Sequence, residues 1–377
     1  MISKLSIVHF KAIASATIPL GPITVLVGPN DSGKSTILQA LMALSRCADP
    51  ASLSAEQVLG CPASVAATHG VPFVDIELAV EGFTGVIGAY RYLTKLSSRS
   101  NAFAAEDILL EDKPLLTTSD GFVTLVEGKQ EKHAAQEGGM SELSRLIGRQ
   151  VTVSLPLQLT FDAIGHELSA SLLRLDPRAI ARGTPLGAPV LSDGSGVVGI
   201  VDDLLTSGTG DEQIRRVNDV LQRLSPHVKS VGARRHPASG GKELQFVLRD
   251  GSVLPATQMS DGIVLAAALV LISIWSGTRR VLIEEPENGL HPRQLKVIVD
   301  TIRTIAETQG AQIVMTTHSP LLLNHFAADE VVLVTRDQAG VRAQRMTEAK
   351  GLDDLASEMA LGELWYNVGD SNLARPA

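Results

Sequence analysis

Residues 28–36 constrain the fold of this chain more than any other segment. They read Gly-Pro-Asn-Asp-Ser-Gly-Lys-Ser-Thr, which fits the pattern G-x-x-x-x-G-K-[ST]. An apolar, strand-like stretch at 23–27 leads into them, and a helix-like stretch at 37–44 follows. A strand, a glycine-rich loop and a helix in this order predict an α/β fold in which the loop wraps around phosphate groups.

The residue types of this loop suit the polyphosphate of a nucleotide. The glycines let backbone N–H groups turn inward, and the N-terminus of the following helix adds positive potential. Lys34 can reach the β- and γ-phosphates, and Ser35 can bind Mg²⁺. The alternative is a chance match, which the flanking strand and helix disfavour. The predicted nucleotide-binding residues of the loop are Gly28, Asn30, Ser32, Gly33, Lys34, Ser35 and Thr36.

The composition is that of a globular protein without a uniformly basic surface. Of the 377 residues, 44% are hydrophobic and 20% are charged, and the net charge is −8. A chain of this length can bury one large core or two moderate ones. The net charge argues against a nucleic-acid surface that is basic throughout, but leaves room for a local patch. Two small basic clusters lie at 234–236 and 279–280; solvated arginines or partners of nearby carboxylates are the favoured interpretation, over a nucleic-acid contact.

The sequence contains no recognisable membrane anchor or secretion signal. The apolar run 263–275 is too short to span a bilayer, and residues 1–10 lack the long apolar core of a signal peptide. The cysteines, Cys47 and Cys61, are too few for a disulfide scaffold or a four-ligand zinc site. We therefore expect a cytoplasmic protein without a membrane segment.

Regular α/β patterns open and close the chain, and a less regular region lies between them. Residues 48–237 are rich in turns that separate short strand and helix candidates. We interpret them as an inserted α+β region of unknown role. Residues 1–47 and 238–377 are predicted to form one nucleotide-binding head around this insertion.

The C-terminal pattern predicts a largely parallel sheet. A hairpin with a two-residue turn at Asp250-Gly251 comes first. Apolar strands then alternate with helices, and such strands are covered on both faces, with functional residues at their carboxyl ends. The predicted elements are a helix at 294–308 and strands at 281–283, 312–316 and 330–335, the last of the chain.

Polar residues follow two of these strands. Glu284 and Glu285 end the apolar strand 281–283, where one carboxylate can orient the shell of a Mg²⁺ ion and the other can polarise an attacking water. His318 follows the strand 312–316, where its imidazole can form a hydrogen bond with a γ-phosphate. The alternatives are a solvated strand end for the glutamates and a loop-capping role for the histidine.

Ser260-Asp261-Gly262 opens the apolar helix that includes residues 263–275. A hydroxyl, a free N–H group and a helix N-terminus are the ingredients of an anion site, although a capped helix is the simpler alternative. Since residues 28–36 already provide one phosphate-binding helix end, a second one makes sense if it reaches a nucleotide held by another subunit.

These segments together resemble the ABC-type ATPase heads of the RecF, SMC and OLD families, in the small AAA-labelled branch of ATP-binding proteins. Residues 28–36 resemble the Walker A motif, 260–262 the shortened signature motif and 283–287 the Walker B motif. Residues 288–292 are similar to the D-loop, and His318 to the switch histidine. The resemblance implies a P-loop NTPase of ABC type with a mixed, mainly parallel central sheet.

The resemblance also implies a role for each polar residue. Glu285 is then the catalytic carboxylate, assisted by His318 and Lys34, and the cofactors are ATP and Mg²⁺. Ser35 and Glu284 are the expected metal residues; many relatives have Asp at the second position, and because Glu is longer, we expect its contact with the ion to run through water. The glutamine of the Q-loop is not assigned.

The family mechanism implies a homodimer in which two heads sandwich two ATP molecules. Ser260 and Gly262 of one head would meet the γ-phosphate held by Lys34 of the other. Hydrolysis would then loosen the dimer and move whatever is attached to it.

The expected biological role is in DNA maintenance or defence against mobile DNA. OLD-like relatives often continue into a Toprim nuclease domain, whereas this chain ends soon after residues 362–365. We therefore expect a separate effector protein. The sequence leaves open nucleic acid as a partner, and two other functions: the ATPase subunit of a transporter, and an ATP-binding scaffold that hydrolyses little.

Overall fold

The computed structural model describes residues 1–52, 54–68, 74–119, 122–127, 129–134, 141–185, 187–207, 210–235, 240–338, 340–349 and 359–374. Strands and helices are mixed along the chain. The strands are β1 (Ile2–Phe10), β2 (Ile13–Pro19), β3 (Ile23–Val27), β4 (Asp75–Thr84), β5 (Gly88–Ser97), β6 (Ala102–Leu110), β7 (Lys113–Ser119), β8 (Phe122–Glu127), β9 (Lys129–Ala134), β10 (Ala170–Leu173), β11 (Val228–Arg235), β12 (Lys242–Leu248), β13 (Val253–Pro255), β14 (Arg280–Glu284), β15 (Gln312–Thr316), β16 (Val331–Asp337) and β17 (Gly340–Arg345).

Helices lie between some of these strands and after the last one. They are α1 (Lys34–Cys47), α2 (Ala55–Leu59), α3 (Ala63–Ala66), α4 (Glu142–Ile147), α5 (Leu155–Leu168), α6 (Pro177–Ala181), α7 (Val197–Thr206), α8 (Gly210–Leu224), α9 (Asp261–Ser276), α10 (Leu295–Gln309), α11 (Pro320–Leu323), α12 (Leu361–Val368) and α13 (Asp370–Leu373). Across the described residues, no helix combines the length and the apolar character needed to cross a bilayer.

Contacts divide the chain into two compact units. The first consists of Met1–Ala170, Ala327–Met359 and Leu364–Ala377, and the second of Ser171–Phe326 and Ala360–Glu363. This division rests on compactness. The predicted head and insertion were defined by sequence pattern instead, and their boundaries remain a prediction.

The first unit contains an eight-stranded antiparallel sheet in the order β2-β1-β4-β5-β6-β7-β8-β9. Strands β4 to β9 follow one another as a meander. On β5 the side chains of Tyr90, Tyr92, Thr94 and Leu96 are buried, which is the alternation expected of a sheet that packs one face on a core.

The phosphate-loop strand of the first unit is buried on both faces. Every residue of β3 is buried; β3 pairs in parallel with β16, which pairs antiparallel with β17. The buried side of α1 includes Ile37, Leu41 and Leu44. A short, continuous apolar strand followed by an amphipathic helix is the local pattern that the sequence predicted.

The second unit places two other buried strands side by side. Strands β14 and β15 are parallel, and their register sets Glu284 opposite Thr316. Because parallel strands end at the same edge, the residues that follow β14 and β15 lie close together. Helix α9 is buried from Gly262 to Ser273, as its apolar sequence predicts. The mixed parallel and antiparallel pairings confirm the predicted α/β class.

Two predictions of local structure are wrong. The turn between β12 and β13 has three residues, since the Leu248 N–H donates to the Ser252 carbonyl and Gly251 takes a left-handed φ of 89°; a glycine there suits a three-residue loop. The strand predicted at 330–335 is not the last, because β17 follows it. The sequence of β17, GVRAQR, is mostly polar because this edge strand is little buried, so it lacks the apolar pattern by which a strand is predicted.

Candidate functional site

Gly28 is the position of the phosphate loop where only glycine fits. Its φ is 145°, a conformation that side chains rarely adopt. A Cβ atom there would lie 2.0 Å from the carbonyl oxygen of Val334 in β16. The loop backbone therefore passes directly against a neighbouring strand at the point where it leaves β3.

Lys34 begins α1 and folds back over the loop. Its Nζ donates to the carbonyl oxygens of Gly28, at 2.8 Å, and Pro29, at 2.6 Å, and the residue is 6% exposed. These acceptors compensate the buried ammonium, which holds a positive charge within the loop. Gly33 precedes it with a φ of 105°, so the turn into the helix also requires a left-handed residue.

The remaining loop residues offer groups that suit an anion. The Ser32 Oγ is buried and has no hydrogen-bond partner among the described residues. Asn30 and Ser35 are exposed, whereas Thr36 is buried, and the first turn of α1 has no acidic residue. An orphaned hydroxyl, a buried ammonium and a helix N-terminus fit a phosphate group chemically.

Glu284, the last residue of β14, forms an ion pair that the sequence analysis missed. The Arg174 Nε donates to the Glu284 Oε2; the Glu284 side chain is 15% exposed and that of Arg174 51% exposed. Arg174 follows β10 and is distant in sequence, so no local pattern could identify it. The guanidinium compensates the negative charge of a carboxylate that is largely removed from water.

Glu285 has a strained backbone that is held by the adjacent strand end. Its φ is 47°, a conformation that costs a non-glycine residue about 1 kcal/mol or more. Its N–H donates to the Thr316 carbonyl, at 3.1 Å, and to the Thr316 Oγ1, at 3.3 Å. These bonds hold the residue in a conformation that turns the chain at the end of β14.

The carboxylate of Glu285 meets two side chains. The Asn288 Nδ2 donates to its Oε2 at 2.7 Å, and the His318 Nε2 lies 3.4 Å from its Oε1. The side chains of Glu285 and His318 are 34% and 37% exposed. An oriented carboxylate beside an imidazole, both open to solvent, is an arrangement that can accept and hold a proton.

Glu287 is a second carboxylate whose contacts the sequence analysis did not predict. Its Oε1 accepts hydrogen bonds from the Thr317 Oγ1, at 2.6 Å, and from the His318 N–H, at 2.9 Å. The Glu-Pro-Glu string was a signal for this residue, but its partners lie on another strand end, which only the parallel pairing brings close.

Ser260 occupies the N-cap of α9 without capping it. Its side chain forms no cap hydrogen bond and the residue is exposed, so the hydroxyl is not committed to the helix. Gly262 is buried, and a Cβ atom there would lie 3.0 Å from the Cβ of Gln294. Gln294, which follows the D-loop-like segment, thus lies against the first turn of α9 and accepts from the His291 N–H at 3.2 Å.

The structure thus brings Glu284, Glu285 and His318 to one sheet edge in the second unit, which also contains Ser260 and Gly262. The loop residues, from Gly28 to Thr36, belong to the first unit. Within the described parts of the chain, no group of three or more His, Cys, Asp or Glu side chains is arranged to hold a metal ion. Taken separately, the hydroxyl oxygen of Ser35 and the carboxylate oxygens of Glu284 are of the types that bind Mg²⁺ in proteins, beside phosphate and water.

The basic clusters have structural partners. Arg280 is buried, and its Nε donates to the Gln312 Oε1 at 3.0 Å. Arg234 pairs with Glu243 at 2.8 Å, while His236 lies outside the described residues. These contacts agree with the interpretation of paired arginines rather than of a nucleic-acid surface.

Two family models match separate parts of this chain. Residues 1–77 match the family described as "AAA ATPase domain". Residues 197–324 match the family described as "AAA domain, putative AbiEii toxin, Type IV TA system". The first match contains the phosphate loop, and the second contains Ser260, Glu285 and His318.

Known proteins resemble the chain over most of its length. The chain is 24% identical over 409 residues to an OLD nuclease of Thermus scotoductus. The aligned region covers 96% of this chain and 68% of that protein. An SMC head solved with the C-winged helix domain of ScpA is similar in structure, with a TM-score of 0.56, 14% identity and coverage of 91% and 97%. An SMC head of Pyrococcus furiosus, solved with an extended coiled coil and the C-terminal domain of ScpA, is also similar. Its TM-score is 0.53 and its sequence identity is 15%, and the match covers 94% of this chain and 98% of that chain.

The fold is that of a P-loop NTPase head of the ABC type. The chain is similar to the ABC-type ATPase heads of the RecF, SMC and OLD-like group.

Proposed function

We propose that this protein binds ATP with Mg²⁺ and hydrolyses it to ADP and phosphate. Lys34 and the loop around it would bind the β- and γ-phosphates, and Ser35 and Glu284 would contribute to the Mg²⁺ shell. The ion would neutralise charge on the phosphate oxygens. Glu285 would take a proton from the attacking water, and His318 would form a hydrogen bond with the γ-phosphate.

The observation that carries the proposal is the setting of Glu285. Its backbone is held by Thr316 and its carboxylate by Asn288, and the ring of His318 lies 3.4 Å away. A carboxylate whose position is fixed by three neighbours is suited to hold a water in one orientation. Strain at Glu285, in a segment that ends a buried strand, supports a functional site over a solvated strand end.

We further propose that ATP acts as the link of a homodimer. Ser260 and Gly262 of one copy would bind the γ-phosphate held by Lys34 of the other, because the Ser260 hydroxyl is exposed and not used to cap α9. Hydrolysis would remove the shared γ-phosphate and weaken the dimer. The protein would then be a switch whose two states differ in affinity for its copy.

The biological role that we propose is DNA maintenance or defence against mobile DNA, in the cytoplasm, through a separate effector protein. The likeness to a protein named OLD nuclease and to SMC heads supports this proposal. We also propose that residues 1–47 and 238–377 act as the ATP-binding head, and that residues 48–237 are inserted into it.

Steady-state phosphate release tests the enzymatic part of the proposal. Wild type is compared with Lys34→Ala, which removes the phosphate-binding ammonium, and Glu285→Gln, which keeps the shape of the side chain but cannot accept the proton. We expect both variants to lose at least a hundredfold in kcat/KM. Wild type that releases phosphate no faster than Glu285→Gln would contradict hydrolysis and favour an ATP-binding scaffold.

A further inference from the structure

The carboxylate of Glu287 is bonded to the loop that presents His318. Its Oε1 accepts from the Thr317 Oγ1 at 2.6 Å and from the His318 N–H at 2.9 Å. Bonds to an ionised acceptor are stronger than those between neutral groups. One oxygen of Glu287 therefore binds both the residue before the imidazole and the backbone of His318 itself.

The same loop is also held from its other end. The Thr317 Oγ1, which donates to Glu287, accepts from the Ser319 N–H at 3.0 Å, and the Ser319 Oγ accepts from the Leu322 N–H at 3.2 Å. The chain of bonds thus runs from Glu287 through Thr317 and Ser319 into the first turn of α11. The backbone on both sides of His318 is fixed, while its ring stays half-open to solvent.

This arrangement is costly for Glu287. Its Oε2 is buried and has no hydrogen-bond partner among the described residues. A buried oxygen that is left unsatisfied disfavours the folded state, so folding alone does not account for a carboxylate here. The need to hold His318 in place explains the carboxylate better, because the His318 Nε2 lies 3.4 Å from the Glu285 Oε1.

We propose that Glu287 is a positioning residue for His318. It fixes the backbone of residues 317–319 so that the imidazole remains directed at Glu285 and at the γ-phosphate that the two residues would serve. The inference rests on the proposed function, because it assigns Glu287 to the same hydrolytic step. Small misplacements of a reacting group lower rates strongly, by about a hundredfold for 1 Å.

The test compares kcat and KM for ATP in Glu287→Ala and Glu287→Gln. Alanine removes the acceptor, and we expect kcat to fall about tenfold to a hundredfold with KM within about twofold of wild type, since the phosphate loop is untouched. Glutamine retains an oxygen that can accept both bonds, and it should keep kcat within about threefold. Thr317→Val, which removes one of the two bonds, should lie between them.

A double-mutant cycle with His318→Ala separates positioning from a general structural defect. If Glu287 acts through His318, adding Glu287→Ala to His318→Ala should change kcat by less than about twofold. Additive losses would overturn the inference. Glu330→Ala is the matched control, because Glu330 also accepts a backbone bond, from the Ala327 N–H at 2.9 Å, and it should leave kcat unchanged.

The result also distinguishes the two proposals. A Glu287→Ala protein with wild-type kcat, beside an inactive Glu285→Gln protein, would overturn the role of Glu287 and leave ATP hydrolysis intact. If wild type hydrolyses ATP no faster than Glu285→Gln, both the proposed ATP hydrolysis and the role of Glu287 are wrong. If Glu287→Ala does not fold, as judged by thermal unfolding, Thr317→Val and its cycle with His318→Ala decide the question.

Discussion

The imidazole of His318 faces the carboxylate of Glu285, with 3.4 Å between Nε2 and Oε1. The two residues follow different strands, and the parallel register that sets Glu284 opposite Thr316 brings them together. Their proximity is thus a product of the sheet rather than of the loops alone. A site built on strand ends keeps its geometry because the strands are buried and rigid.

The close approach at Gly28 makes it the most sensitive position of the phosphate loop. We expect Gly28→Ala to destabilise the protein by about 2 kcal/mol or more and to abolish binding of an ATP analogue, because its Cβ would lie 2.0 Å from the Val334 carbonyl oxygen. Thermal unfolding and analogue titration measure the two effects.

Gly251→Ala is the control for the left-handed backbone alone. Gly251 has a φ of 89° but no atom within 4 Å of an added Cβ, so it should cost only about 1 kcal/mol and leave nucleotide binding intact. Equal losses in the two variants would show that the contact with Val334 is unimportant.

The ion pair between Arg174 and Glu284 predicts a stability effect that depends on charge. Arg174→Ala removes the guanidinium that pairs with the largely buried Glu284 carboxylate, and we expect a loss of about 1 kcal/mol in the free energy of unfolding. Adding Glu284→Gln removes that charge and should recover most of the loss. Denaturant unfolding in the absence of nucleotide measures this coupling.

Arg216→Ala is the comparison for this pair. Arg216 and Glu212 are both 67% exposed, and such pairs contribute little. If Arg174→Ala is as neutral as Arg216→Ala, or if Glu284→Gln gives no recovery, the compensating role of Arg174 is wrong.

A buried carboxylate in the first unit predicts an unusual dependence of stability on pH. Glu106 is 1% exposed and accepts from the Tyr92 hydroxyl at 2.5 Å and the Ser141 hydroxyl at 2.7 Å. Burial raises the pKa of Glu106 from 4.5 to about 7, although these bonds oppose the shift. The folded protein therefore holds a proton that the unfolded chain releases between these values.

Stability should fall as pH rises through this window, because the native state binds more protons than the unfolded state. The favourable contribution of the neutral carboxyl is complete below pH 4.5 and lost above about pH 7, which amounts to about 3 kcal/mol. We expect Glu106→Gln to remove this part of the slope in unfolding measured from pH 5 to 8. Glu81→Gln should retain the wild-type slope, because Glu81 is on the same sheet but pairs with Lys4 at the surface. A Glu106→Gln protein with the wild-type slope would contradict the raised pKa of Glu106.

The sequence predicted correctly those strands, loops and helices whose pattern lies in neighbouring residues. The continuous apolar run of β3 and the glycines at 28 and 33 predicted a strand, a loop and a helix, and the structure has them. The strand at 312–316 agrees with β15 in both bounds. Such segments are buried on both faces, so their composition alone identifies them.

Contacts between distant segments could not be predicted in this way. The meander from β4 to β9 has short turns, and its register shifts between β5 and β6 and between β6 and β7, so the bounds and pairing of its strands could not be predicted from the sequence. Arg174 and Glu287 have partners that are remote along the chain, and no spacing rule links them. The site residues were thus predicted by motif, whereas the residues that hold them required the structure.

Light scattering of Glu285→Gln shows whether ATP links two copies of the protein. With ATP and Mg²⁺, we expect its molar mass to double and to remain doubled, because the nucleotide is bound but not hydrolysed. It should stay monomeric with ADP, and Lys34→Ala/Glu285→Gln should stay monomeric with either nucleotide. A Glu285→Gln protein that binds ATP and remains monomeric would contradict an ATP-linked dimer.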